Sequence, residues 1–137
     1  MKTVLGVIAG FVAWSIVWVG SDQVLMTLIP GWYGTHQLAF ERAINTGEPF
    51  AADASVLVFH LVRATLVSVL SGFLAAFVAG ENRRAPLALG IVLLVVGIGV
   101  EAMAWNYAPV WYHALFLVLL IPMTVLGGRL KSSPAMQ

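Results

Sequence analysis

The order of apolar and polar residues divides the chain into four long apolar stretches joined by short polar connections. The stretches cover about residues 4–29, 54–79, 86–107 and 109–128. A helix needs about 20 predominantly apolar residues to cross the hydrocarbon core of a bilayer, and each stretch is about that long. The pattern therefore predicts an all-α membrane protein, a bundle of four transmembrane helices that forms a single domain over residues 1–137.

Residues that start or stop helices stand at the ends of these stretches. Pro30 follows the first stretch, Asp53 is positioned to cap the second, and Pro109 begins the fourth. The only sizeable connection covers residues 30–52, a loop of twenty-odd residues between the first two helices. Within it, THQLAFERAIN is predicted to form a short interfacial helix that ends at Gly47.

Composition supports the membrane location. Hydrophobic residues make up 61% of the chain and charged residues only 9%, whereas charged residues are about a quarter of an ordinary soluble domain. The chain has no cysteine, which excludes disulfides and thiolate metal sites. The apolar run after Lys2 is longer than the core of a secretory signal, and no small-residue cleavage site follows it, so it is interpreted as the first span.

Cationic residues predict the orientation of the bundle. Only Arg42 lies in the connection that joins the first two spans. Apart from Arg63, which lies within a span, the others fall on the opposite side of the predicted membrane: Lys2, Arg83, Arg84, Arg129 and Lys131. Because cytoplasmic loops carry an excess of lysine and arginine, both termini are predicted to be cytoplasmic and the long loop to be outside.

Small residues predict which helix faces meet, because in lipid they allow backbones to approach closely. The first span carries Gly6 and Gly10, and the third carries Gly90 and Gly97. The second span has five small residues at intervals of four: Ala64, Ser68, Gly72, Ala76 and Gly80. We therefore expect the first two spans to cross closely in the cytoplasmic half of the membrane and to separate toward the outside.

Polar residues within the spans are the candidate site. They come from four helices and are predicted to lie about 9 Å inside the outer boundary, with Arg63 somewhat deeper and His113 slightly less deep. The five residues are Asp22, His60, Arg63, Glu101 and His113. An unpaired charge in the membrane costs about 3 kcal/mol or more, so Arg63 is predicted to pair with Asp22, Glu101 or both. Two acids and one arginine leave one negative charge, which a proton on either histidine or on an acid would neutralise.

Several functions are compatible with this cluster. It can hold the helices in position, or it can exchange protons in a small transporter or channel. Haem bound between His60 and His113 in a redox protein is a third alternative. No catalytic residues, metal ligands or cofactor are predicted, because no nucleophile context and no phosphate-binding glycine loop occur in the sequence.

The last span contains a sequence pattern that also occurs in other proteins. Its stretch APVWYHALFLVLLIPMTVLGGRL resembles an uncharacterised family of small bacterial four-span membrane proteins, in which a proline, a WYH element, an FL pair, a second proline and a GG pair recur. The matching residues are Pro109, Trp111 to His113, Phe116, Leu117, Pro122, Gly127 and Gly128. The resemblance implies a bacterial inner-membrane location and adds no catalytic residues.

Together these features predict a small inner-membrane protein with an accessory or structural, self-associating role, because four short helices enclose little volume. A proton-linked transporter or channel that uses Asp22, His60, Arg63 and Glu101 is the alternative. The expected partners are the lipid bilayer and a second copy of the chain or another membrane protein. No basic patch indicates a nucleic-acid partner.

Overall fold

The helices follow the four apolar stretches. The computed structural model describes residues 1–131 and has no strand among them, and the remainder of the predicted domain, residues 132–137, lies outside the described part. The elements are α1 (Lys2–Leu28), a π-helical turn (Pro30–Gly34), α2 (Thr35–Thr46), α3 (Ala54–Ala79), α4 (Arg84–Met103), a 3-10 turn (Trp105–Tyr107) and α5 (Val110–Arg129). Helices α1, α3, α4 and α5 are long and apolar enough to cross a membrane, which confirms a helical protein with four candidate spans.

Local signals in the sequence explain where the helices begin and end. The Asp53 carboxylate accepts a hydrogen bond from the Ser55 backbone N–H at 2.9 Å and caps α3. Gly47, with φ of 74°, ends the short helix α2 in a left-handed conformation that suits a residue without a Cβ atom. Helix α4 ends at Met103, earlier than predicted, because the following residues form the 3-10 turn before Pro109 caps α5.

Helix α3 is the centre of the bundle. It packs along α1 on one side and along α5 on the other, and α5 also packs along α4. Helix α4 makes a less extensive contact with α1, which completes the ring of four helices. Helix α3 also touches α4, so all the spans that bound the candidate site pack against α3.

Glycines bring the backbones together at one end of this ring. A Cβ atom on Gly6 would lie 2.5 Å from the carbonyl oxygen of Ala75 in α3, and one on Gly10 would lie 3.0 Å from that of Ser71. A Cβ atom on Gly72 would collide with the carbonyl of Thr124 in α5. We call this the closed end of the bundle and the opposite one the open end.

Both termini of the described chain lie at the closed end. Gly6 in α1 meets Ala79 at the last turn of α3, and Gly128 in α5 meets Pro86 in the first turn of α4. The Asn82 side chain donates a hydrogen bond to the carbonyl of Lys131 at 3.0 Å. This arrangement agrees with an even number of spans, in which the chain returns to the side from which it started.

The row of small residues on α3 does not face α1 throughout, contrary to our expectation. Ser68 accepts a hydrogen bond from the Trp14 indole of α1 at 3.1 Å, but Gly72 contacts α5. Gly80 has no neighbour within 4 Å of a built Cβ atom and instead ends α3 with φ of 72°. A step of four residues rotates by about 40° around a helix of 3.6 residues per turn, so the row winds from one neighbour to the next. Ala64 and Ala76 in the same row are buried.

Two of the three glycines of α4 face α5, and a Cβ atom on the third, Gly99, would meet nothing within 4 Å. A Cβ atom on Gly90 would lie 3.2 Å from the Cα of Ile121, and one on Gly97 would lie 2.9 Å from a methyl group of Leu120. These contacts hold α4 against α5 along most of its length.

Candidate functional site

A cavity of about 460 Å³ occupies the open end of the bundle. Its walls come from all five helices, and all five polar residues predicted from the sequence line it: Asp22, His60, Arg63, Glu101 and His113. The rest of the wall is largely apolar and aromatic, with Phe11, Trp14, Trp18, Tyr112 and Phe116 among its members. The polar cluster therefore surrounds a space and does not fill it.

Asp22 of α1 connects the cavity wall to the segment that follows α1. Its Oδ1 atom accepts hydrogen bonds from the Tyr33 hydroxyl at 2.5 Å and from the Gln37 amide at 3.0 Å. Burial and the bond to Asp22 raise the pKa of Tyr33 well above its usual range, so this hydroxyl stays protonated and donates. The Arg63 guanidinium lies 3.8 Å away, beyond hydrogen-bonding distance. The predicted pairing of Arg63 with Asp22 is present as a loose ion pair.

Arg63 of α3 is held mainly by neutral groups. Its Nη1 atom donates to the Ser21 hydroxyl at 3.1 Å and to the Trp18 carbonyl at 3.4 Å. Its guanidinium carbon lies 3.8 Å from the centre of the Trp18 ring, a cation–π contact. Its Nε atom has no hydrogen-bond partner in the described chain, although the side chain is only 7% exposed. A buried positive charge thus lacks a directly bonded carboxylate.

His60 connects Arg63 to α2. The Nη2 atom of Arg63 lies 3.3 Å from Nδ1 of His60, and a guanidinium can only donate, so Nδ1 accepts. Nε2 of His60 then carries the hydrogen and donates to the Gln37 side-chain oxygen at 3.2 Å. The same oxygen accepts from Nδ1 of His36 at 3.0 Å, and Nε2 of His36 has no hydrogen-bond partner among residues 1–131. His60 is neutral in this arrangement, because one of its ring nitrogens accepts.

Glu101 pairs with His113 and not with Arg63, so Asp22 is the partner of Arg63 among the two acids that the sequence offered. The Glu101 carboxyl makes a very short hydrogen bond to Nδ1 of His113, and both side chains are buried. Nε2 of His113 lies 3.2 Å from the Trp105 carbonyl, and its ring stacks on that of Trp105. Since a carbonyl only accepts, Nε2 carries a hydrogen, and one further proton is shared between Nδ1 and the carboxyl. The pair is neutral as a whole.

The connection between α4 and α5 explains this choice of partner. Glu101 lies at the end of α4 and His113 near the start of α5, and the intervening 3-10 turn folds the two helices side by side. Arg63 on α3 turns instead toward α1, where it contacts Trp18 and Ser21. The surplus negative charge expected from the sequence is thus neutralised by the proton that Glu101 and His113 share.

Three contributors to the site were not identified from the sequence: Tyr33, His36 and Gln37. They lie in the π-helical turn and in α2, which folds back over the open end. Adjacent polar residues in the otherwise apolar WYGTHQLAF could have indicated them, because a short segment tied to two spans must cover the bundle end. Trp18 of α1 also belongs to the site, because its ring holds the guanidinium of Arg63.

Aromatic contacts cover the cavity at the end of the bundle. Phe40 of α2 meets Tyr107 of the 3-10 turn edge to face at 6.0 Å, and Phe50 packs on Phe40 and on His36. The cavity opens at the side instead. Val19 of α1 and Val100 of α4 line it while being 58% and 53% exposed, so the mouth lies between these two helices. In a bilayer an apolar mouth between two spans faces lipid.

Haem and metal chemistry do not suit these residues. Both ring nitrogens of His60 and of His113 already have hydrogen-bond partners, so neither imidazole offers a free nitrogen to an iron atom. Among residues 1–131, no group of three histidine, aspartate or glutamate side chains is placed to hold a metal ion.

Comparison with known proteins gives no relative. No protein-family model matches the chain, and neither a curated protein nor a solved structure is significantly similar to it. The geometry of the cavity is therefore what bears on function.

Proposed function

We propose that this protein binds a small amphipathic molecule in the cavity at the open end and takes it up sideways from the bilayer. One observation carries the proposal: an aromatic, apolar cavity wall also includes two polar side chains, Arg63 and His36, each with a buried nitrogen that has no hydrogen-bond partner among residues 1–131. Unpartnered buried polar atoms are uncommon in proteins, and a ligand with a polar end would satisfy them.

The size and lining of the cavity suit a small molecule. Its volume of about 460 Å³ falls in the range of about 300–1,000 Å³ that is typical of ligand sites. Such sites are usually apolar with a few fixed polar groups, and here Trp18 and the hydrogen bonds of Ser21 hold the guanidinium of Arg63 in place. The ligand needs an apolar body for the wall and a polar end for the guanidinium.

The orientation of the bundle is part of the proposal. Both termini are in the cytoplasm of a bacterium, and the cavity is in the outer half of the inner membrane. The distribution of charge supports this orientation, because the closed end carries most of the cationic residues: Lys2, Arg83, Arg84, Arg129 and Lys131. The resemblance of the last span to bacterial proteins supports the location.

A purely accessory, self-associating role is less well supported. The accessory role was predicted because four short helices were expected to enclose little volume, and the bundle instead encloses a cavity of ligand size. Self-association is compatible with ligand binding, since the outer faces of the four spans are apolar and available to lipid or to a second copy.

Proton-linked transport of the ligand is the second candidate, supported by the shared proton of Glu101 and His113 in the cavity wall. It would require the closed end to open, because backbone contacts at Gly10 and Gly72 block that end. Replacement Glu101→Gln in liposomes should abolish pH-driven uptake of the ligand while leaving its binding in place. An unchanged flux would exclude this candidate.

Ligand binding can be tested with single-chain probes on protein in nanodiscs of zwitterionic lipid. Tritiated lauric acid, lauryl alcohol and laurylamine would be measured by scintillation proximity, with empty nanodiscs as background. At least one probe should bind saturably to the wild type. Val100→Phe should weaken that binding by filling the mouth, whereas Val95→Phe should not, because Val95 is exposed on the same helix and does not line the cavity. Absence of saturable binding by all three probes would disprove the proposed function.

A further inference from the structure

We infer that the polar end of the ligand is an oxyanion of the carboxylate type, bound by Arg63. This inference rests on the proposed function and adds the chemical class of the ligand. It starts from the charge of Arg63, which is buried at 7% exposure and lies 3.8 Å from its nearest carboxylate. The Asp22 oxygen at this distance, Oδ1, already accepts hydrogen bonds from Tyr33 and Gln37. The guanidinium thus retains affinity for a second anion that can bond to it directly.

The donors of Arg63 leave one position for such an anion. Nη1 donates to Ser21 and to a backbone carbonyl, and Nη2 contacts His60. Two of its five N–H donors remain without a hydrogen-bond partner in the described part of the chain: the Nε–H group and the second N–H of Nη2. Nε and Nη2 form one edge of the planar guanidinium, and a carboxylate binds such an edge with two parallel hydrogen bonds. Because Nε is buried beneath its neighbours, binding of this kind would require the guanidinium to turn toward the cavity and His60 to release or share Nη2.

The acidic residues of the wall do not favour a cation instead. Glu101 shares a proton with His113, and Asp22 accepts two hydrogen bonds beside Arg63. Glu41 is at the exposed rim in α2, where water can solvate it. A cationic ligand would therefore be repelled by the buried Arg63, and the carboxylate beside it already interacts with Arg63, Tyr33 and Gln37. An uncharged ligand would leave Arg63 without a directly bonded counter-ion.

The remainder of the ligand follows from the shape of the wall. The lateral mouth is lined by valines, and the interior by aromatic rings such as Trp14 and Phe116. A volume of about 460 Å³ lies near the lower end of the range for ligand sites, which favours one acyl chain over two. The structure thus fits a single-chain carboxylate, a fatty acid or a molecule built like one.

Comparison of the same three probes tests this inference. On wild-type protein, lauric acid should bind roughly ten- to a hundredfold more tightly than lauryl alcohol, since a hydrogen-bonded charge pair is worth that much. Laurylamine should bind more weakly than either. If the acid and the alcohol bind equally, and Val100→Phe blocks both, the inference fails while the proposed function stands. If none of the probes binds, both fail.

Two variants identify the residue responsible. Arg63→Gln should remove the preference for the acid, and Arg42→Gln should leave it, because Arg42 carries the same charge at the same end without lining the cavity. Where Arg63→Gln does not fold, Arg63→Lys keeps the charge and should keep a reduced preference for the acid. Retention of the full preference in Arg63→Gln, or its complete loss in a folded Arg63→Lys that still binds the alcohol, would overturn the assignment to a direct charge contact.

Discussion

The two ends of the bundle are built from the same helices and differ in the size of the residues between them. Along α1, residues at intervals of four change from Gly6 and Gly10 to Trp14, Trp18 and then Asp22. Where the glycines lie, α1 touches the backbone of α3, and where the tryptophans lie, α1 is held away and the cavity begins. Residue size along one face of a helix thus decides where a small membrane bundle is closed and where it can hold a ligand.

The charged pair at the open end should give the largest effect. Asp22→Leu leaves Arg63 buried without its ion-pair partner and frees the Tyr33 hydroxyl, so we expect a loss of about 3–5 kcal/mol in the free energy of unfolding. Reversible unfolding in detergent mixtures, followed by circular dichroism, would measure it.

The double variant Asp22→Leu with Arg63→Met is the control for this experiment. It removes both charges together and should recover a large part of the lost stability, because an apolar pair can replace a buried ion pair. If the double variant is as unstable as the single one, packing around Asp22 and not charge explains the loss.

The closed end should give the next largest effect. Gly72→Ala places a methyl group on the Thr124 carbonyl, and neither backbone can move without disturbing the contact of α3 with α5. We expect a loss of about 1–3 kcal/mol, measured by the same unfolding experiment. Gly20→Ala is the matched control, since a Cβ atom there meets nothing within 4 Å. That change should be neutral or slightly stabilising, and equal losses in both variants would contradict close packing at Gly72.

The smallest effect is expected at Asp53, where α3 begins at the open end. Hydrogen bonds from the Ser55 hydroxyl and backbone N–H lower the pKa of Asp53 below its usual value. The cap is thus fully present above the pKa of the unfolded chain and is lost as pH falls through the lower pKa of the folded chain. Asp53→Ala should lower thermal stability slightly at neutral pH and not in acid, whereas Asp53→Asn, which also caps helices, should show little pH dependence.

Much of this architecture could be predicted from the sequence, because the bilayer constrains it strongly. The apolar stretches predict the spans, and the cost of a charge in lipid predicts that Asp22, Arg63 and Glu101 turn inward. All three line the cavity. The spacing of residues along one helix fixes which of them share a face, and this was enough to predict the five polar residues of the site.

The pairing within the site could not be predicted, because spacing does not fix how far each helix turns about its own axis. That rotation brings Glu101 to His113 and leaves Arg63 beside Trp18. The row of small residues on α3 winds between two neighbours because a step of four residues exceeds one helical turn. The contribution of Gln37 depends on how α2 folds back over the bundle, and no periodic pattern encodes that path.

The pairing of Glu101 with His113 also bears on how the protein is made. Helices α4 and α5 form a hairpin that contains both members of this neutral pair, so the hairpin can enter the bilayer from the translocon without an isolated charge. Arg63 has no such partner on its own helix, and an arginine at the centre of a lone span costs about 3 kcal/mol to insert. Its counter-ion, Asp22, is synthesised first. The order of the two ion pairs along the chain therefore suits a protein that is inserted while it is still being translated.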